Sequence, residues 1–161
     1  MVLAILGGHK TQTRRLVKLT GKDLPDATGK EIARLLESPY GKTGAQLWVK
    51  EAWRTLQAFD HLRPSLLPLD TRIEYRADGE SGNGGKWRTP LFMPRWASRI
   101  TLEIVAVRIE RLQEISEADA RAEGMGSENP VEAYKILWES LHGLDAWAKN
   151  PWVWLIEFAV R

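Results

Sequence analysis

The segment Gly8-His9-Lys10-Thr11-Gln12-Thr13-Arg14-Arg15 brings an amine, a hydroxyl and two guanidinium groups into one short run. Thr13 offers a hydroxyl, which is inert as a nucleophile without a base beside it. Lys10 can act as that base only if its pKa falls well below about 10.4. Burial and the positive charges of Arg14 and Arg15 both push it in that direction. The run also lies in a local positive field, because Lys10, Arg14, Arg15, Lys18 and Lys22 all precede the first acid, Asp23. Such a field suits an anionic or polar ligand, and a solvated basic face is the plainer reading beside it. Lys10 by itself also fits a phosphate contact.

Spacing sets a geometric condition on this chemistry. On a regular strand, Lys10 and Thr13 point to opposite faces, whereas Thr13 and Arg15 share one. Convergence of Lys10 and Thr13 therefore requires an irregular approach to the strand, which Gly7-Gly8 offers. Arg15 is then free to orient a ligand or to stabilise an oxyanion.

The elements around the segment follow from periodicity and turn residues. Val2 to Leu6 reads as a short helix stopped by Gly7-Gly8, and Thr11 to Val17 as a strand. Ile32, Leu35 and Leu36 recur at helical spacing within Lys30 to Glu37, ahead of Pro39. Gln46 to Arg54 alternates like a strand, and the glycine-rich stretch Ala77 to Trp87 reads as a mobile loop. Gly85-Lys86 does not make a phosphate-binding loop, since Glu80 and Trp87 occupy positions where that motif needs glycine and Ser or Thr. Arg99 to Arg111 is the clearest strand. Ser116, with Asp119 three residues on, caps a helix running to Glu123 that Gly124 ends. Glu132 to Leu141 is a second helix and Val153 to Val160 a closing strand. Short strands with irregular loops and a few flanking helices predict an α+β fold built on a mainly antiparallel, barrel-like sheet.

Composition narrows the function classes. At 161 residues the chain fits one domain, expected to span residues 1–161 without an internal boundary. Its 43% apolar and 27% charged residues are ordinary for a globular protein. No apolar run is long enough to span a bilayer, and the apolar start is too short for a signal-peptide core, so no membrane partner and a cytoplasmic location are expected. Cysteine is absent, which excludes disulfides and thiolate chemistry. His9, His61 and His142 lack metal-site spacing, so no metal and no cofactor are expected. The net charge of +2 is too small to mark a general nucleic-acid binder. Of the eight tryptophans most should pack in the core, and Trp53 and Trp96, flanking strand ends, are the candidates to stack a base.

Gly8-x-Lys10, Thr13, Arg15 and the capped helix bearing Glu123 together resemble the ASCH family, whose fold is similar to the RNA-binding PUA domain. The family signature is Gly-x-Lys-x-x-Glu-x-Arg, and here threonine stands where the glutamate is usual. A subset of the family that is similar in this respect hydrolyses N4-acetylcytidine with a lysine, the second threonine and a glutamate in the helix after the long strand. The resemblance carries these roles to Lys10, Thr13 and Glu123. Pro39-Tyr40-Gly41, Leu47-Trp48-Val49, Met93-Pro94-Arg95-Trp96 and Asn150-Pro151-Trp152-Val153-Trp154 resemble the longer phage-type ASCH proteins, so the likeness covers most of the chain.

The resemblance implies a PUA-like barrel and a metal-independent amidohydrolase acting on N4-acylated cytidine. Thr13 would attack the acyl carbon, Lys10 would take its proton, and Glu123 would assist departure of the cytosine nitrogen. Attack by a water held between Lys10 and Glu123 is the other route. Glu123 if ionised raises the lysine pKa, against burial, and the sequence leaves that balance open. The competing expectation is an RNA-binding PUA-like module, with or without ribonuclease activity, for which RNA is the partner rather than a nucleoside. Such a module needs the positive groove but not a Thr-Lys-Glu cluster.

Overall fold

The computed structural model describes residues 1–18, 28–29, 31, 36–79, 82 and 84–161. Most of the helix expected over Lys30 to Glu37 and part of the loop expected over Ala77 to Trp87 lie outside the described residues. The protein is α+β, and its larger sheet is a curled, antiparallel half-barrel. Its strand order is β1-β6-β5-β2, with β1 at Gln12–Leu16, β2 at Gln46–Trp48, β5 at Thr101–Arg111 and β6 at Trp152–Val160. A second sheet pairs β3, Trp53–Arg54, with β4, Glu74–Tyr75. The helices are α1, Val2–Leu6, α2, Glu117–Ala122, and α3, Pro130–His142. Among the described residues no helix is long and apolar enough to cross a membrane.

Contacts divide the chain into two compact units where one domain is expected from the sequence. One holds Leu3–Gln46 and Glu103–Val160, the other Leu47–Leu102. The changes between units fall inside β2 and β5, where continuous strand sequence offers no glycine, proline or charge break to mark them.

In the first unit β1 lies antiparallel to β6, with Gln12 opposite Glu157 and Leu16 opposite Val153. Val153, Trp154, Leu155 and Ile156 are buried in succession, so this stretch of β6, an inner strand, is covered on both faces. The core joins Val153 to Leu112, Ile115 and Ala120, and to Tyr134 and Trp138 of α3. Along β5 the buried residues Leu102 and Ile104 give way to Ile109, so the inward face changes phase. Glu110 and Arg108 therefore occupy a charged face that simple alternation would assign partly to the core.

The helix α2 begins as its sequence requires. The Ser116 hydroxyl accepts from the Asp119 amide at 3.1 Å, and the Asp119 carboxylate accepts from the Ser116 amide at 3.2 Å and from its hydroxyl at 2.8 Å. Gly124 ends the helix at φ 96°, a left-handed conformation that favours glycine. A Cβ built there would also lie 3.4 Å from the Cβ atoms of Ala4 and Lys10.

In the second unit Trp53, Leu67, Met93 and Ala97 form the core. The single strand expected over Gln46 to Arg54 is interrupted between Trp48 and Trp53. Glu51, 3% exposed, lies in the interruption and accepts from both Nε and Nη2 of Arg99, at 2.9 and 3.0 Å. A buried carboxylate that needs a forked partner overrides the alternation of its neighbours. Removing the α2 cap with Ser116→Ala is expected to lower stability by about 1 kcal/mol. Urea unfolding would show it as a lower midpoint with an unchanged slope.

Candidate active site

Lys10 and Glu123 meet because two chain reversals deliver them to one another. After α1 the chain turns at Gly8, φ 73°, and the amides of His9 and Lys10 both donate to the Ala4 carbonyl, at 2.8 and 2.9 Å. Lys10 then forms an isolated antiparallel bridge with Glu123, the C-terminal cap of α2. The Lys10 Nζ donates to the Glu123 Oε2 at 2.6 Å and to its backbone carbonyl at 2.8 Å. Each residue is 5% exposed.

Burial holds the Lys10 ammonium below its ordinary value. The carboxylate of Glu123 opposes that shift, while the charges of Arg15 and Arg14 assist it. The balance left open by the sequence is thus settled toward a more easily deprotonated amine.

Arg14, whose side chain has no exposed surface, organises the acids behind this pair. Its Nε and Nη2 donate to Oε1 of Glu110 at 3.1 and 2.6 Å. Its Nη1 reaches Oε1 of Glu123 at 3.5 Å, and its Nη2 lies 3.6 Å from Asp119. The Tyr134 ring lies 5.9 Å from the guanidinium carbon. Burial, and next the charge of Glu123, push the Tyr134 phenol up. Asp119 lies below the usual carboxylate range: burial raises it, but bonds from Ser116 and Gln12 and the charge of Arg14 outweigh that. Gln12 donates to the Asp119 carbonyl and carboxylate at 2.7 and 3.1 Å.

Lys10, Gln12 and Arg14 are all buried, whereas Thr13 is half-buried and Arg15 exposed. Thr13 and Arg15 share a face as expected, and the Arg15 Nη1 donates to the Thr13 Oγ1 at 2.8 Å. β1 is nevertheless an edge strand, so one recess can border side chains from both its faces. Lys10, Thr13, Arg14, Arg15 and Glu123 line a single recess of about 40 Å³, together with Met1 and, from α3, Tyr134, Leu137, Trp138, Leu141 and His142. The three residues to which catalysis is ascribed are thus brought together. Arg15 is brought there too, but its partner is Thr13.

The two tryptophans expected to stack a base belong to the second unit. Trp53 has no exposed surface and packs with Leu67, Met93 and Ala97, with the Arg88 guanidinium 5.4 Å from its ring. A ring so enclosed offers no face to a base. Trp96 packs half-buried against the same core. Both were singled out because they flank strand ends, and in this unit strand ends are where the core lies.

Arg14, Glu110, Asp119 and Tyr134 were not singled out from the sequence as site residues. A period-two reading begun at Lys10 rather than at Thr11 puts Gln12 and Arg14 inward, which is the signal that was available. The acids facing Arg14 come from β5 and α2, and sequence separation hides them. Among the described residues no group of three or more His, Asp or Glu is placed to hold a metal ion. Compared with known protein families, characterised proteins and solved structures, the chain matches none.

Two measurements check this geometry. Between its folded value and the ordinary 10.5, Lys10 binds fewer protons in the folded than in the unfolded chain, so its contribution to stability rises with pH. The stability of the unsubstituted protein relative to Lys10→Met, followed by urea unfolding from neutral pH to 10.5, is expected to increase across that window. Arg14→Met leaves the carboxylates of Glu110 and Glu123 without their buried partner and should cost about 3–5 kcal/mol by the same assay.

Proposed function

We propose that this chain is an amidohydrolase of the ASCH type, with a PUA-like sheet, that cleaves the acyl amide of N4-acetylcytidine and related N4-acylated cytidines. The observation that carries the reading is the buried Lys10–Glu123 pair, 2.6 Å apart, in a recess that Thr13 and Arg15 also line. A phosphate contact needs an exposed ammonium, whereas Lys10 is 5% exposed and already bonded to a carboxylate. Burial that favours its neutral form suits a base.

The chemistry balances within this set of residues. A proton passes from Lys10 Nζ to Glu123 inside the pair, leaving a neutral amine and a carboxylic acid. The amine takes the Thr13 hydroxyl proton as Oγ1 bonds to the acyl carbon. The C–N4 bond breaks as Glu123 returns its proton to N4, and cytidine departs with its amino group restored. Lys10 again passes a proton to Glu123, and water then attacks the Thr13 ester, giving one proton to the neutral Lys10 amine while Glu123 protonates the departing Oγ1. Carboxylic acid is released and the ion pair is restored. Arg15, bonded to Oγ1 at 2.8 Å, sits beside the acyl carbon after attack and can stabilise the developing oxyanion.

Incubation with N4-acetylcytidine is expected to release cytidine and acetate. Lys10→Ala, Thr13→Ala and Glu123→Gln should each lower kcat/KM by at least about a hundredfold. If the unsubstituted protein releases no cytidine and cleaves RNA instead, the site belongs to a ribonuclease of the same fold. Undiminished turnover by Thr13→Ala would transfer the attack to water.

A further inference from the structure

The recess has two chemically different ends. Lys10, Glu123, Thr13 and Arg15 make one end polar. The other is a wall from one side of α3, where Leu137, Trp138 and Leu141 follow at helical spacing. The Trp138 ring is held between neighbours on the same helix, 6.2 Å from Tyr134 and 4.2 Å from His142. Trp138 and Tyr134 are 3% and 4% exposed and belong to the core cluster. A ring anchored in this way keeps its place, whereas Met1, 70% exposed, lines the same recess and is the movable part of its wall. The volume of about 40 Å³ admits about three water-sized atoms, at roughly 10–15 Å³ each.

We propose that this recess is the acyl-group pocket and that the α3 wall limits the substrate to short, unbranched acyl groups. The proposal rests on the amidohydrolase reading. The reacting carbonyl lies at the polar end, near Thr13 and the Lys10–Glu123 pair, and the methyl group of an acetyl fills the end made by Leu137 and Trp138. The nucleoside is too large for the recess and stays outside it. An aromatic acyl group has no room in about 40 Å³ unless Met1 or the α3 leucines move. Leu137 and Leu141 are thus the specificity-determining residues. Leu137 is half-buried, and Leu141 is 65% exposed at the same side of the recess.

The test compares kcat/KM for N4-acetylcytidine and N4-benzoylcytidine. The unsubstituted protein is expected to prefer the acetyl compound by at least about tenfold. Leu137→Ala should reduce that preference several-fold, chiefly by improving turnover of the benzoyl compound. Leu141→Ala, at an exposed position where loss of folding is not expected, should shift it in the same direction. Ile136→Ala, 62% exposed on the same helix and not lining the recess, should leave it unchanged. Equal cleavage of both substrates, or a preference that neither leucine substitution moves, overturns the acyl pocket while leaving the hydrolase standing. Failure to cleave either substrate removes the hydrolase, and the pocket with it.

Discussion

An ammonium and a carboxylate taken out of water together lose hydration that their mutual attraction restores only when the geometry is close and the remaining polar atoms are bonded. Lys10 and Glu123 meet both conditions. The distance is 2.6 Å, a second Lys10 hydrogen goes to the Glu123 carbonyl, and the second carboxylate oxygen faces Arg14. Most local features of the first unit answer to that pair. The Gly8 turn brings Lys10 back under α1, and the backbone bridge holds its strand against the end of α2. Gly124 leaves space beside the Lys10 side chain that a larger residue would contest.

The need for compensation then propagates. Arg14 opposes the Lys10 charge but neutralises Glu123, so it must itself be balanced, and Glu110 and Asp119 do this from β5 and α2. Arg108 carries the network outward, lying 3.2 Å from Glu110 and 3.7 Å from Asp119 and pairing with Glu157 of β6. Alternating charges tie β1, β5, β6 and α2 together around the site. The proposed base would need such rigidity to keep its distance to the nucleophile.

The legible parts of the sequence were local. Strands form at Gln12–Leu16, Thr101–Arg111 and Trp152–Val160, where the sequence marks extended segments, and α2 follows its capping box. The pairing of Lys10 with Glu123 was legible through resemblance to a known motif and not through spacing, since 113 positions separate them. The Arg14 network was illegible for the same reason: each member looks like a surface charge until the fold assembles it. Trp53 shows the opposite error. Its position at a strand end suggested exposure, but β3 is a two-residue strand wrapped by Leu67, Met93 and Ala97, and such a strand has no free end. Within the break between Trp48 and Trp53, Glu51 accepts from Arg99, a contact that alternation alone does not encode.

The threonine at position 13 gains a physical meaning from the same electrostatics. In the motif that this segment resembles, a glutamate stands there. A second carboxylate lining the recess would act on Lys10 as Glu123 does, adding a further force that keeps the ammonium protonated. With threonine, Lys10 has a single carboxylate beside it among the described residues, and burial prevails over that one charge. The Arg15 guanidinium, which a glutamate would engage as an ion pair, instead donates to a hydroxyl oxygen at 2.8 Å and favours its deprotonated form. One change of side chain therefore shifts both partners of the proposed proton transfer in the productive direction: the base is more readily neutral and the nucleophile more readily ionised.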